Sequence, residues 1–173
     1  MSIHGEYLGM NLSVSDQDKE NLEYFRWCAE HEFRLQCCDA CSLLRYPPTT
    51  ACPWCAFPQS SWLPVDARGV VYSYSEVHHA IQPAFKKHTP YLVVLVELDT
   101  QRGKPSAEEA LRVVANLALP NGELAPPETV RRAGIGTRMR MVFKDVAAGL
   151  ALPMWTIDED AAPTSDVWRY PQE

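Results

Sequence analysis

Alternation of apolar and polar side chains is the clearest local signal in this chain, and it is concentrated in the second half. From Val70 to about His79, Tyr72, Tyr74, Glu76 and His78 fall on one face and Val71, Ser73, Ser75 and Val77 on the other, which predicts a strand. Thr137 to Phe143 sets Met139, Met141 and Phe143 opposite Arg138 and Arg140 and predicts another. Between them, Tyr91 to Leu98 is largely apolar on both faces, as in a strand enclosed by a small barrel. Leu111 to Leu119 and Leu150 to Ile157 supply two more, and Pro127 to Ala133 has room for a helical turn ahead of the fourth strand. Five strands with a helical insert between the third and fourth predict an OB-type barrel over residues 66–157.

The first half follows a different pattern. Residues 1–15 carry few signals and are expected to form an irregular arm. From Asp16 to about Glu32 the spacing of Leu22, Phe25, Trp27, Cys28 and Phe33 suits an amphipathic helix with an acidic start, completing an N-terminal unit over residues 1–34. Asp66-Ala67-Arg68-Gly69 reads as the turn that separates residues 35–65 from the barrel. Residues 158–173 form an acidic C-terminal tail.

Residues 35–65 contain the most specific chemistry of the chain. Cys38-x-x-Cys41 and Cys52-x-x-Cys55 flank ten residues, and each pair places two thiolates one tight turn apart. Two such pairs supply four soft ligands, the set of a closed tetrahedral zinc site with Zn–S near ~2.3 Å. Pro53 inside the second knuckle and the Tyr46-Pro47-Pro48 turn between the knuckles agree with a zinc ribbon. A closed four-cysteine set leaves no coordination position for substrate, so the metal is expected to be structural. Cys37 reads as a bystander, because one backbone step turns its sulfur away from the ion held by Cys38. Cys28 reads as a small buried apolar residue.

Charge and composition narrow the function. The net charge of −6 weighs against a nucleic-acid binder, for which phosphate neutralisation supplies most of the affinity. No apolar run is long enough to span a bilayer. The start, Met1-Ser2-Ile3-His4-Gly5-Glu6, lacks a basic region followed by an apolar core, which points to the cytoplasm and there to cysteines that bind metal rather than form disulfides. Phosphate-loop, nucleophile-elbow and His-Glu metal-helix motifs are not found, so no catalytic residue is assigned.

The residues Leu35-Gln36, Cys38-x-x-Cys41, Tyr46-Pro47-Pro48 and Cys52-Pro53-x-Cys55 form one series with Gly69-x-Val71-Tyr72-Ser73-Tyr74, Pro83-Ala84-Phe85 and Pro90-Tyr91. It continues through Val96-Glu97-Leu98-Asp99, Ile135-Gly136 and Val142-Phe143-x-Asp145. On these residues the chain resembles the family catalogued as domain of unknown function 35. Cys37, Ala56, the insertion around Gln101–Glu109 and the tail from Asp158 depart from its pattern. The resemblance implies a mainly β protein: an N-terminal helix, a rubredoxin-like zinc ribbon and a five-stranded OB-fold barrel. It also implies an accessory role, in which the chain joins a thiolase-fold or hydratase-like enzyme as a hetero-oligomer and helps to bind acyl-CoA, in some members during steroid side-chain breakdown. The alternative for such a two-module chain is single-stranded nucleic-acid binding.

Ligand-binding candidates follow from side-chain chemistry. Phe85 suits stacking on a base or lining a pantetheine channel, and Lys86 and Lys87 beside it suit phosphates, although the same residues also fit a barrel cap with solvated lysines. Arg138 and Arg140, with Arg131, Arg132 and Lys144, form a second basic concentration that a solvated strand face also explains. His78-His79 fits acid–base chemistry or a plain strand end. Phe25, Trp27, Trp168 and Tyr170 are large aromatics outside the predicted barrel and are candidate partner contacts.

Overall fold

Ten strands and two α-helices build three sheets in the structure, a computed structural model that describes residues 1–162 and 166–171. The chain opens with a hairpin of β1 (Ile3–Tyr7) and β2 (Met10–Val14) in place of the expected irregular arm. Alternate residues of this hairpin are shielded, and Leu8 and Gly9 turn the chain at positive φ. Helix α1 (Lys19–Ala29) begins at Asp18, whose carboxylate accepts from the Asn21 amide at 3.1 Å and so satisfies one of the free first-turn donors. Tyr24 and Cys28, four residues apart, form its face toward the core, and Leu22 is buried as well.

A three-stranded sheet follows: β3 (Arg34–Cys38), β4 (Leu44–Arg45) and β5 (Ser60–Pro64), in the order β4-β3-β5. The barrel is β6 (Arg68–Val77), β7 (Tyr91–Leu98), β8 (Arg112–Asn116), β9 (Arg138–Ala147) and β10 (Leu150–Ile157), with a 3-10 helix at Pro83–His88 and α2 (Pro127–Val130) ahead of β9. Its strand order is β10-β9-β6-β7-β8, and the open edges meet where Leu117 runs parallel to Trp155 and the Ala118 amide donates to the Trp155 carbonyl at 2.7 Å. Antiparallel pairs closed by one parallel contact between the third and fifth strands give the OB topology expected from the alternation.

Two local features shape the barrel. At Gly69 the backbone of β6 passes so close to the Glu97 carbonyl of β7 that a Cβ would collide with it. A register shift between Val71 and Ser73 then breaks the alternation: Val71 is buried, Tyr72, Ser73 and Ser75 are exposed, and Tyr74 packs against the core. The expectation that Tyr72 and Tyr74 share a face is therefore corrected, because a bulge shifts the phase of every residue beyond it.

One buried cluster joins α1 and the three-stranded sheet to the barrel, running from Tyr24, Cys28, Phe33 and Leu35 to Leu92, Val94, Val96 and Trp155. The Trp155 indole N–H donates to the Val113 carbonyl at 3.1 Å, so the largest buried side chain is also fixed in orientation. A smaller cluster of Tyr7, Ala118, Val142 and Met154 seats the N-terminal hairpin.

Candidate metal centre and ligand-binding surfaces

The two knuckles are built alike. The Ser42 amide donates to the Cys38 carbonyl and the Ala56 amide to the Cys52 carbonyl, both at 2.9 Å, while Cys38 and Cys52 donate to Leu43 and Phe57. Ser42 and Ala56 each follow a second cysteine and adopt left-handed φ of 59° and 61°. This turn brings the sulfurs of Cys38, Cys41, Cys52 and Cys55 within 4.8 Å of one another, with Cys38–Cys55 at 3.5 Å and Cys41–Cys52 at 3.6 Å. Tetrahedral sulfurs around zinc stand about 3.8 Å apart, so four thiolates at this spacing fit a metal ion. The Cys38 thiol is drawn down to about 6, chiefly by the hydrogen bond from the Cys41 amide. Burial pushes the Cys52 thiol up, but the amides of Cys55 and Trp54 outweigh it and leave the thiol below its ordinary value. Backbone amides aimed at sulfur favour the thiolate, the ligating form.

Cys37 faces away from this cluster, pairing with Leu44 and Ser61 in the ribbon sheet, and Cys28 is fully buried beneath α1, where loss of solvent pushes its thiol up to about 12. Behind the knuckles the side-chain Oε1 of the buried Gln36 accepts from Arg45 at 3.1 Å and from the Thr49 amide at 2.8 Å. Arg45 also donates to the Thr49 carbonyl and the Ser60 hydroxyl, so one guanidinium spans the ribbon. Nothing in the sequence pattern marks this pair as a brace.

The ligand candidates are placed in two separate groups. Phe85 packs against Tyr7 of the N-terminal hairpin and Tyr91 of β7, with ring centroids at 6.2 and 4.9 Å. Lys86 and Lys87 lie exposed in the last turn of the same 3-10 helix. Arg138 pairs across the sheet with Val70 and donates two hydrogen bonds to Asp99, at 2.9 and 2.5 Å, while Arg140 lies opposite Arg68. Val70 lies near the start of β6 and the Phe85 helix follows its end at Val77, so about 23 Å of strand separates the groups.

His78 stands 3.3 Å from Glu76, and Arg169 of the tail reaches the other oxygen of that carboxylate at 2.5 Å. His78 and Glu76 line a cleft of about 440 Å³ with Tyr74, Ile135, Trp168 and Tyr170. Among the aromatics outside the barrel, Phe25 packs on the core and Trp27 lies under the Arg34 guanidinium at 4.1 Å, whereas Trp168 and Tyr170 are exposed. The role of Arg169 and Glu76 was not read from the sequence, where a lone arginine in an acidic tail gives no pairing signal.

Comparison with known proteins bears on what such a molecule does. Residues 62–144 match the family described as ChsH2, C-terminal OB-fold domain. A solved structure described as the Ltp2-ChsH2(DUF35) aldolase superimposes with a TM-score of 0.63 and 28% identity, over 83% of this chain and 98% of the other. These two matches support assignment to the domain-of-unknown-function-35 (DUF35) family, the family model covering just under half of the chain. A further match is a "Probable enoyl-CoA hydratase alpha subunit" from Thermomonospora curvata, 37% identical over 102 residues, or 58% of this chain. The match spans 28% of that relative's length. Among the described residues no helix is long and apolar enough to cross a membrane.

Proposed function

We propose that this chain is an accessory subunit of an acyl-CoA-processing enzyme, with a structural Zn²⁺ held by Cys38, Cys41, Cys52 and Cys55. One observation carries the reading: the fold matches, over 83% of this chain and 98% of the other, a chain of a structure described as the Ltp2-ChsH2(DUF35) aldolase. The relative named as an enoyl-CoA hydratase subunit supports a hydratase-like partner; a thiolase-fold partner and a place in lipid or steroid breakdown are part of the same proposal. Four thiolates with no oxygen or nitrogen donor suit zinc among the common divalent ions, and bound there it would supply folding energy rather than reactivity.

Phe85, Lys86 and Lys87 are the proposed contacts for the phosphate and pantetheine parts of acyl-CoA, with Arg138 and Arg140 as a second group. Single-strand binding has less support. The outward positions across β6, β7 and β8 are Ser73, Ser75, Val93, Leu95, Glu97 and Val114, and Arg112 beside them is already paired with Glu97. An electrostatic track for a phosphate backbone needs unpaired cations along that face.

The test is turnover of acyl-CoA substrates by the chain, by the enzyme subunit that co-purifies with it from its source, and by the two combined. Activity of the combined sample alone is expected. Robust turnover by this chain in isolation overturns the reading. Replacing Lys86 and Lys87 with glutamate is expected to weaken CoA binding by the complex about tenfold, with the difference shrinking at high salt.

A further inference from the structure

Ten large hydrophobic side chains are exposed among the described residues, and half of them share one side of the barrel. Tyr170 is 75% exposed, Tyr72, Val114 and Trp168 are 51% exposed each, and Ile135 is 36% exposed. They border three adjoining clefts, the first sharing Ser73–Ser75 with the second and Ile135 with the third. An apolar concentration of this kind marks an interaction surface rather than scattered surface hydrophobes.

The tail is held so that its rings stay outside. The Trp168 and Ile135 backbones exchange two hydrogen bonds at 2.9 Å, and the approach depends on Gly134, where a Cβ would collide with the Trp168 carbonyl. Arg169 donates to the Val130 and Ala133 carbonyls at the end of α2 and to Glu76 on β6. The Tyr170 amide donates to the Tyr74 hydroxyl at 2.7 Å. The tail is thus held by three main-chain hydrogen bonds and by the Arg169 side chain, while the Trp168 and Tyr170 rings stand edge to face, 6.2 Å apart at 89°, and remain exposed. Rings fixed in place before association lose little freedom when a partner covers them. Tyr, Trp and Arg are also the residues that dominate binding energy at interfaces.

The charges at this face are already matched. The Arg112 guanidinium lies 3.9 Å above the Tyr72 ring and pairs with Glu97, and Arg169 pairs with Glu76. A chain of net charge −6 therefore presents a locally neutral, aromatic surface, suited to an apolar protein face and not to a polyanion.

We propose that this face docks the enzyme subunit, with Trp168 and Tyr170 as anchors and Tyr72 beside them; the proposal rests on the accessory reading above. The matched segment is 28% of the Thermomonospora curvata relative, so in that protein this kind of domain is tethered to a larger body of chain. The surface assigned here lies on the barrel and the tail, away from Phe25 and Trp27 of α1, whose rings are engaged within the chain.

The enzyme subunit captured with the full chain from its source, identified by mass spectrometry and then purified, is the probe. Trp168→Ser and Tyr72→Ser are each expected to weaken the complex at least tenfold while leaving thermal unfolding of the chain unchanged. Leu63→Ser, an exposed apolar residue on the ribbon, is expected to leave affinity as it was. Arg169→Ala keeps both rings but frees the tail, and a several-fold loss is expected from the lost tether. Wild-type affinity in Trp168→Ser and Tyr72→Ser overturns the surface while leaving the accessory role intact. Failure of the wild-type chain to bind any acyl-CoA enzyme subunit overturns the role and the surface with it. Self-association of the chain alone that these variants abolish assigns the face to a second copy and also overturns the proposal.

Discussion

The side-chain amide of Gln101 accepts from the Leu44 amide at 2.7 Å and donates to the Leu44 carbonyl at 2.9 Å, taking the place of a neighbouring strand for β4. Gln101 belongs to the loop after β7, so this pair of bonds ties the metal ribbon to the barrel. Gln101→Ala leaves both Leu44 groups without that partner and is expected to cost about 1–3 kcal/mol. Gln101→Glu removes the donor and sets a carboxylate against a carbonyl, so it is expected to cost at least as much. Faster hydrogen exchange at Leu44, measured beside barrel amides that do not change, checks the assignment.

Cys52→Ser removes one of the four sulfurs, and Cys37→Ser removes a thiol that lies outside their cluster. The first is expected to abolish stoichiometric zinc and lower the thermal midpoint, because binding energy at such a site is folding energy. The second is expected to change neither. Metal analysis together with the thiolate-to-cobalt absorption of the cobalt-substituted protein separates the two outcomes.

Ala56 closes the second knuckle at φ 61°, a conformation in which a Cβ crowds the backbone. Ala56→Gly is therefore expected to stabilise the metal-loaded chain by about 0.5–1 kcal/mol, the larger entropy of an unfolded glycine offsetting part of the relief. Denaturant unfolding at fixed zinc concentration tests it, and a loss of stability would contradict the backbone account.

Stability should fall at both ends of the pH scale for identifiable reasons. Hydrogen bonds from Arg138 hold the Asp99 carboxyl below its ordinary 3.8, so this contribution is complete above about pH 4 and is lost as pH falls through the lowered value. Burial raises the Cys28 thiol from 9.0 to about 12, so its contribution is complete below pH 9 and is lost as pH rises toward 12. Asp99→Asn is expected to flatten the acid limb of the stability profile, and Cys28→Ala to reduce the alkaline one. Equilibrium unfolding measured from pH 3 to 11 reads both effects.

Strands with strong alternation were legible to within a few residues, and two largely apolar runs were legible to the residue. Tyr91–Leu98 and Leu150–Ile157 form strands with the expected bounds, because each is a largely apolar run whose start is marked by proline or glycine. The four cysteines were legible because metal spacing is a local property of the chain. The N-terminal hairpin was not, since Leu8 at its turn is a residue type that rarely takes positive φ. The bulge at Tyr72 depends on the register of a strand distant in sequence, and so does the docking of Trp168 on Ile135. Neither leaves a periodic trace, and the tail rings that they place on one surface could be named in advance only as unassigned aromatics.

The buried cluster that runs from Phe33 and Leu35 through α1 to Leu92 and Trp155 removes any dry boundary between ribbon and barrel. A cut between residues 65 and 66 would not release two independent folding units. It would leave an OB barrel with an uncovered flank at β10 and a ribbon whose helix has nothing to lie on. Loss of zinc should accordingly be felt at the Trp155 indole, on the far side of the chain's shared interior, and the whole molecule should melt in one cooperative step.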